Sequence, residues 1–135
     1  MKYDEIKLGQ IYEVKRKITA HMVETFAEIT GDKNPVHLDE EYASKTIFKK
    51  RIAHGILSVG LISAVLGMEF PGPGTIYMKQ DTKFLKPIYI DEEITIKITV
   101  KEKIEAKSRL LLTTQIFNEN GDIAVDGEAL VLFKN

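Results

Sequence analysis

The apolar positions of this chain change their period several times, and each change marks an element. Ile11, Tyr12 and Val14 follow a Leu8-Gly9-Gln10 turn and predict a first strand within Lys7 to Ile18. Met22, Val23, Phe26, Ala27 and Thr30 then recur at helical spacing. Thr19 can accept a backbone N–H at the start of that helix, and Gly31 can take the left-handed conformation that ends it. Pro35 biases Asn34 toward an extended backbone, and Asp39 can cap a second short helix beginning Glu40-Glu41-Tyr42. Two helices therefore flank the loop Asp32-Lys33-Asn34-Pro35.

From His54 to about Glu69 the period disappears. Ile56, Leu57, Val59, Leu61, Ile62, Val65, Leu66 and Met68 are interleaved only with small residues, so the predicted helix is apolar on nearly every face and has to be enclosed. At ~1.5 Å per residue it runs ~20 Å, the width of a small sheet able to wrap it. Pro71-Gly72-Pro73-Gly74 breaks it. Strand patterns fill the remainder: Thr75 to Lys83, Phe84 to Ile90, Ile94 to Val100, Arg109 to Phe117 and, after an Asn120-Gly121 turn, Ile123 to Phe133. One long apolar helix followed by an antiparallel meander predicts a single α+β domain over residues 1–135, a hot-dog fold with the sheet wrapped around the central helix. The exposed edges of so small a sheet predict pairing with a second copy into a dimer.

Composition narrows the function classes. The 135 residues suffice for one hydrophobic core. A formal net charge of −1 leaves no field to hold nucleic acid or an anionic membrane, and neither is expected as a partner. The chain has no cysteine, which excludes a disulfide framework, a thiol nucleophile and a thiolate zinc site, and fits a reducing compartment. Met1 to Gln10 carries four charges and no apolar run of signal-peptide length, so a cytoplasmic location is expected.

Two features could carry chemistry. Asp32 and His37 lie five positions apart with Asn34-Pro35 folding the loop between them, so a carboxylate and an imidazole can converge on one water. By spacing alone, the same residues are also ordinary loop residues. His54-Gly55 opens the apolar helix, where the first amides lack intrahelical partners and the dipole favours negative charge. Gly55 would admit a carbonyl oxygen to that amide. By local sequence alone, a plain helix start with glycine chosen for packing against a neighbouring strand fits better.

The run Phe26-Ala-Glu-Ile-Thr-Gly-Asp-Lys-Asn-Pro-Val-His37, followed by Ala43 and by Ile52-Ala-His-Gly55, resembles the hydratase 2 motif of the MaoC-like, (R)-specific enoyl-CoA hydratases. The likeness covers essentially the whole chain, taking in Pro71-Gly-Pro-Gly-Thr-Ile-Tyr77, Phe84-Leu-Lys-Pro-Ile88 and Gly127-Glu-Ala129. It implies that Asp32 and His37 activate the water that adds to a trans-2-enoyl thioester, giving the (3R)-3-hydroxyacyl product, and that the Gly55 amide binds the thioester carbonyl. It also implies substrate-binding or pocket roles for Asn34, His54, Ser63, Leu66 and Val131, and no cofactor beyond the coenzyme A of the acyl-CoA substrate. Lys49-Lys50-Arg51 could meet its phosphates, although Arg51 stands where members often carry proline.

Competing readings remain open on these residues. A hot-dog thioesterase would need a carboxylate such as Glu69 to direct water at the carbonyl, a dehydratase could act on acyl carrier protein thioesters, and an acyl-CoA sensor would bind without turnover. A metal enzyme built on His21, His37, His54 and Asp32 lacks any recognised ligand spacing, and no metal is expected.

Overall fold

The computed structural model describes residues 1–135. Strand β1 (Ile11–Lys17) leads into helix α1 (Ala20–Thr30), which starts and stops as its sequence dictates. The Thr19 side chain accepts the Met22 N–H, and Gly31 closes the helix at φ 80°, its own N–H returning to the Ala27 carbonyl. The loop is then tighter than expected. Pro35–Leu38 forms a separate short helix, α2, because proline at its first position has φ preset and no N–H to leave unpaired. Asp39 caps α3 (Glu40–Ser44) by accepting the Tyr42 N–H. The apolar helix α4 runs Gly55–Met68.

Four strands follow α4, not the five expected: β2 (Thr75–Phe84), β3 (Glu93–Ile104), β4 (Arg109–Phe117) and β5 (Ile123–Phe133). The segment from Phe84 to Ile90 is not a strand. Leu85 and Lys86 both donate to the Ala124 carbonyl, Pro87 has no N–H for a ladder, and only Tyr89 makes a bridge, with Ile52. That irregular stretch lies across the start of α4 and becomes a wall of the site.

The five strands form one antiparallel sheet in the order β1-β3-β4-β5-β2. Strict alternation along β3 and β4 puts Ile94, Ile96, Ile98, Val100, Leu110, Leu112 and Ile116 on the inner face, all essentially without solvent exposure. Each such side chain contributes ~1.5–3 kcal/mol by leaving water. Register shifts at Tyr77/Lys79 and Val100/Glu102 insert extra residues, and such bulges bend a sheet around what it covers.

The sheet encloses α4 from one side only. Ser58, Ile62, Val65 and Leu66 are buried against it, whereas Ile56, Gly60, Ala64 and Met68 form an exposed stripe at four-residue spacing. Full enclosure by the chain itself, expected from the helix's composition, is therefore not observed. Beside the stripe runs β2, bonded to β5 alone, with Ile76 and Met78 also exposed.

Candidate active site

The site is assembled where α1 ends, α2 begins and α4 begins. Gly31 halts α1 so that Asp32 is the first residue of the loop, and the Asp32 N–H donates to Thr30 Oγ1 at 3.1 Å. Asp32 Oδ1 in turn accepts the Asn34 N–H at 3.4 Å. The Asn34 side chain points the other way, its Oδ1 accepting the Val36 N–H at 3.3 Å to cap α2. Asn34 thus shapes the loop from both sides and steers the short helix that carries His37.

His37 is held at two points. Its Nδ1 is 2.7 Å from the Ile52 carbonyl, and a carbonyl only accepts, so Nδ1 carries the hydrogen and Nε2 is left with its lone pair. Its own carbonyl accepts Arg51 Nε at 2.7 Å, and the Arg51 guanidinium also pairs with Glu24 at 3.5 Å. Arg51 is therefore committed to fixing α2 and is not free for a phosphate, while Lys49 and Lys50 are exposed. The basic run is visible in the sequence, but no local pattern says that Arg51 reaches His37. Burial lowers the His37 pKa below the ordinary histidine value; the Ile52 carbonyl and the Asp32 charge raise it, and His54 adds to the lowering.

Asp32, His37 and His54 converge: an oxygen of the carboxylate and a nitrogen of each ring all lie within 4.8 Å of one another. A water donating to two groups at about 2.8 Å, with its bonds about 110° apart, spans about 4.6 Å. The separation of the two groups is of that order, the scale of a bridge by one water. His21 is outside this cluster, on α1 beside Met22 and Phe26. The His37 and His54 rings stack with centroids 3.9 Å apart and planes at 28°.

Gly55 is the first residue of α4, and its amide has no partner within the helix. A Cβ there would sit 2.9 Å from the Phe84 ring, so any side chain at this position has to displace that ring, while the backbone conformation itself does not call for glycine. Beside it opens a cavity of about 240 Å³ lined by Phe48, His54, Gly55, Ser58, Phe84 and Pro87 among others. The lining is mostly apolar, as an acyl chain requires. Ser58 is a polar lining residue that the sequence reading passed over; it is buried and donates to the Gly55 carbonyl at 2.5 Å. Only the helical offset of three from Gly55 could have pointed to it.

Three substrate-side candidates lie away from this cavity. Ser63 is half-buried further along α4, and Leu66 and Val131 are buried in the core cluster. Glu69, the carboxylate a thioesterase would need, is at the opposite end of α4, ~20 Å from Gly55 at helical rise. It is also occupied: Tyr12 donates to it at 2.7 Å and Arg16 pairs with it at 2.5 Å. That geometry gives Glu69 the work of tying α4 to β1.

The fold is a hot-dog sheet that brings a carboxylate and two imidazoles together near the start of its central helix. The MaoC-like domain family model matches residues 4–119, and the chain belongs to that family. It is 42% identical over 131 residues to 3-hydroxybutyryl-CoA dehydratase of Methylorubrum extorquens, covering 96% of this chain and 82% of that one. It is 37% identical over 131 residues to the (R)-specific enoyl-CoA hydratase of Aeromonas caviae, covering 97% and 98% of the two chains. The solved structure of R-hydratase PhaJ1 from Pseudomonas aeruginosa, unliganded, superposes with a TM-score of 0.94 at 42% identity, covering 99% of this chain and 86% of that one.

Proposed function

We propose that this chain adds water to trans-2-enoyl-CoA to form (3R)-3-hydroxyacyl-CoA, and runs the reverse dehydration. The observation that carries the reading is the convergence of Asp32 and His37, within reach of one water, beside the Gly55 amide. Water sits between the carboxylate and His37 Nε2. As its oxygen bonds to C3, one of its protons passes to the pair, and a proton from the pair reaches C2 on the same face. The enolate-like charge that builds on the thioester oxygen in between is stabilised by the Gly55 N–H and the positive end of α4. A lowered His37 pKa keeps the ring neutral and able to accept a proton at neutral pH. Either member can hold the proton in transit, so base and acid are roles of the pair. The reaction is redox-neutral, and in this reading the proton transfers are carried by the chain's own groups with no cofactor.

The (3R) outcome and the coenzyme A carrier rest on likeness to the named hydratases. A 30% identical relative, a mitochondrial 3-hydroxyacyl-[acyl-carrier-protein] dehydratase of Arabidopsis thaliana, makes the acyl carrier protein thioester the second substrate to assay. Ser63, Leu66 and Val131 would border the acyl chain deeper in the molecule, with Leu66 one turn past Ser63 on α4. The functional unit is a homodimer: the Ile56-Gly60-Ala64-Met68 stripe and the β2 edge form one exposed apolar surface that a second copy would cover. No helix is long and apolar enough to cross a membrane, and the cytosol is the proposed location.

The test is the decay of the conjugated thioester's ultraviolet absorbance with crotonyl-CoA, longer 2-enoyl-CoA esters and one enoyl acyl carrier protein, followed by chiral analysis of the product. Release of free thiol in place of a hydrated thioester would replace this reading with hydrolysis.

A further inference from the structure

We infer that His54 is a positioning residue, which fixes Asp32 through its Nε2–H and braces the His37 ring with its face, setting the acid–base pair against the helix amide that follows it. The inference rests on the hydratase reading above and assigns His54 a role other than contact with substrate.

His54 is 2% exposed, yet it is buried among working groups and not only among core side chains. Its Nε2 is 2.9 Å from the Asp32 main-chain carbonyl, which can only accept, so the hydrogen resides on Nε2. Its ring stacks on His37 at 3.9 Å and meets Phe26 of α1 at 4.7 Å, tilted by 55°. Phe26 closes the far side, so the imidazole is clamped between α1 and α2. Nδ1 is buried without a partner, so the one hydrogen bond that orients the ring is the one to Asp32. The backbone completes the connection. His54 is the residue immediately before α4, extended at φ −62° and ψ 134°, and the next amide is that of Gly55. One rigid side chain thus links the carboxylate loop, the imidazole helix and the carbonyl-binding helix end. Positional error at any of them is costly, since a shift of ~1 Å can cost on the order of 10²-fold in rate.

Two substitutions separate this role from space-filling. His54→Phe keeps a ring between Phe26 and His37 but has no donor for the Asp32 carbonyl. His54→Gln keeps a donor near the Nε2 position but loses the ring. If His54 positions the pair, His54→Phe lowers kcat by about 10- to 100-fold with KM changed less than about threefold, and His54→Gln recovers part of the loss. The groups facing His37 are His54, the Asp32 carboxylate and, at its carbonyl, Arg51. His54→Phe leaves these other groups in place, so what it removes is the hydrogen bond to the Asp32 carbonyl. A packing role predicts the reverse order, with His54→Phe near wild type and His54→Gln the poorer enzyme; that result overturns the inference.

Should His54→Phe fail to fold, nitrogen-15 NMR of the wild-type imidazoles decides. A slowly exchanging Nε2–H on His54 is expected, and an Nδ1–H tautomer would refute the hydrogen bond to Asp32. A wild type inactive on every enoyl thioester would sink the hydratase reading instead, while the tautomer measurement would still stand on its own.

Discussion

Replacing Asp32 with asparagine separates catalysis from folding more cleanly than any other single change in this molecule. The side chain is exposed, and its one hydrogen bond is the 3.4 Å contact from the Asn34 N–H to Oδ1, which an amide oxygen can still accept. Loss of stability should therefore stay within about 0.5 kcal/mol, the usual range for a surface substitution. Activity depends on a different property of the same atoms. In the proposed mechanism the water held between Asp32 and His37 gives up a proton as it attacks, and an amide neither takes that proton nor stabilises the charge that forms. A positioned acid–base group contributes about 10²- to 10⁴-fold, equivalent to about 2.7–5.4 kcal/mol of barrier. The expected outcome is a fall of that size in kcat/KM for crotonyl-CoA, read by ultraviolet absorbance, with an unchanged thermal midpoint. Activity retained within tenfold would show that the convergence of Asp32 and His37 is not where water is activated. A large drop in the thermal midpoint would show that the loop geometry described for Asp32 is wrong.

Gly55→Ala should fold, because the Phe84 ring that its Cβ meets at 2.9 Å is half exposed and can swing aside, but kcat should fall about 10²-fold as the methyl narrows the approach to the amide; wild-type turnover in the alanine variant would remove Gly55 from the mechanism. The depressed His37 pKa means that the unfolded chain binds more protons than the native one below pH ~6.5, so stability should decline as pH falls from that point toward the native pKa. Urea midpoints measured across that window should flatten in His37→Gln, and an unchanged slope would contradict the assigned shift. Glu69→Gln should leave hydration intact while costing on the order of 1 kcal/mol, since it weakens the partly buried bonds to Tyr12 and Arg16; loss of turnover with stability intact would revive a carboxylate role at that end of α4. A Cβ at Gly60 meets nothing within 4 Å in the single chain, so Gly60→Glu should fold but sediment as a monomer if the exposed stripe is the dimer contact; a persisting dimer would place the contact elsewhere.

Local signals in the chain are those that decide conformation within a few residues. Thr19 and Gly31 bound α1 because a hydroxyl cap and a left-handed glycine act on their own turn, and the alternation along β3 and β4 forces one face inward whatever surrounds it. Pairing of Asp32 with His37 was legible for the same reason: Gly31, Asn34 and Pro35 fold a five-residue span back on itself. Phe84 to Ile90 was misread as a strand because its composition suits one, while what it does is set by Ala124 and Ile52, far away in sequence.

Everything that required two distant segments to meet was decided by the fold. Arg51 on the His37 carbonyl, His54 on the Asp32 carbonyl, Phe84 over Gly55 and the capture of Glu69 by Arg16 join residues 14 to 53 positions apart or cross from sheet to helix. A hydrogen bond or ring contact fails when displaced by about an ångström, and such distances are fixed only once the sheet has closed on α4. Residue types alone therefore named the chemistry available to this protein, and packing determined which of those groups are free to perform it.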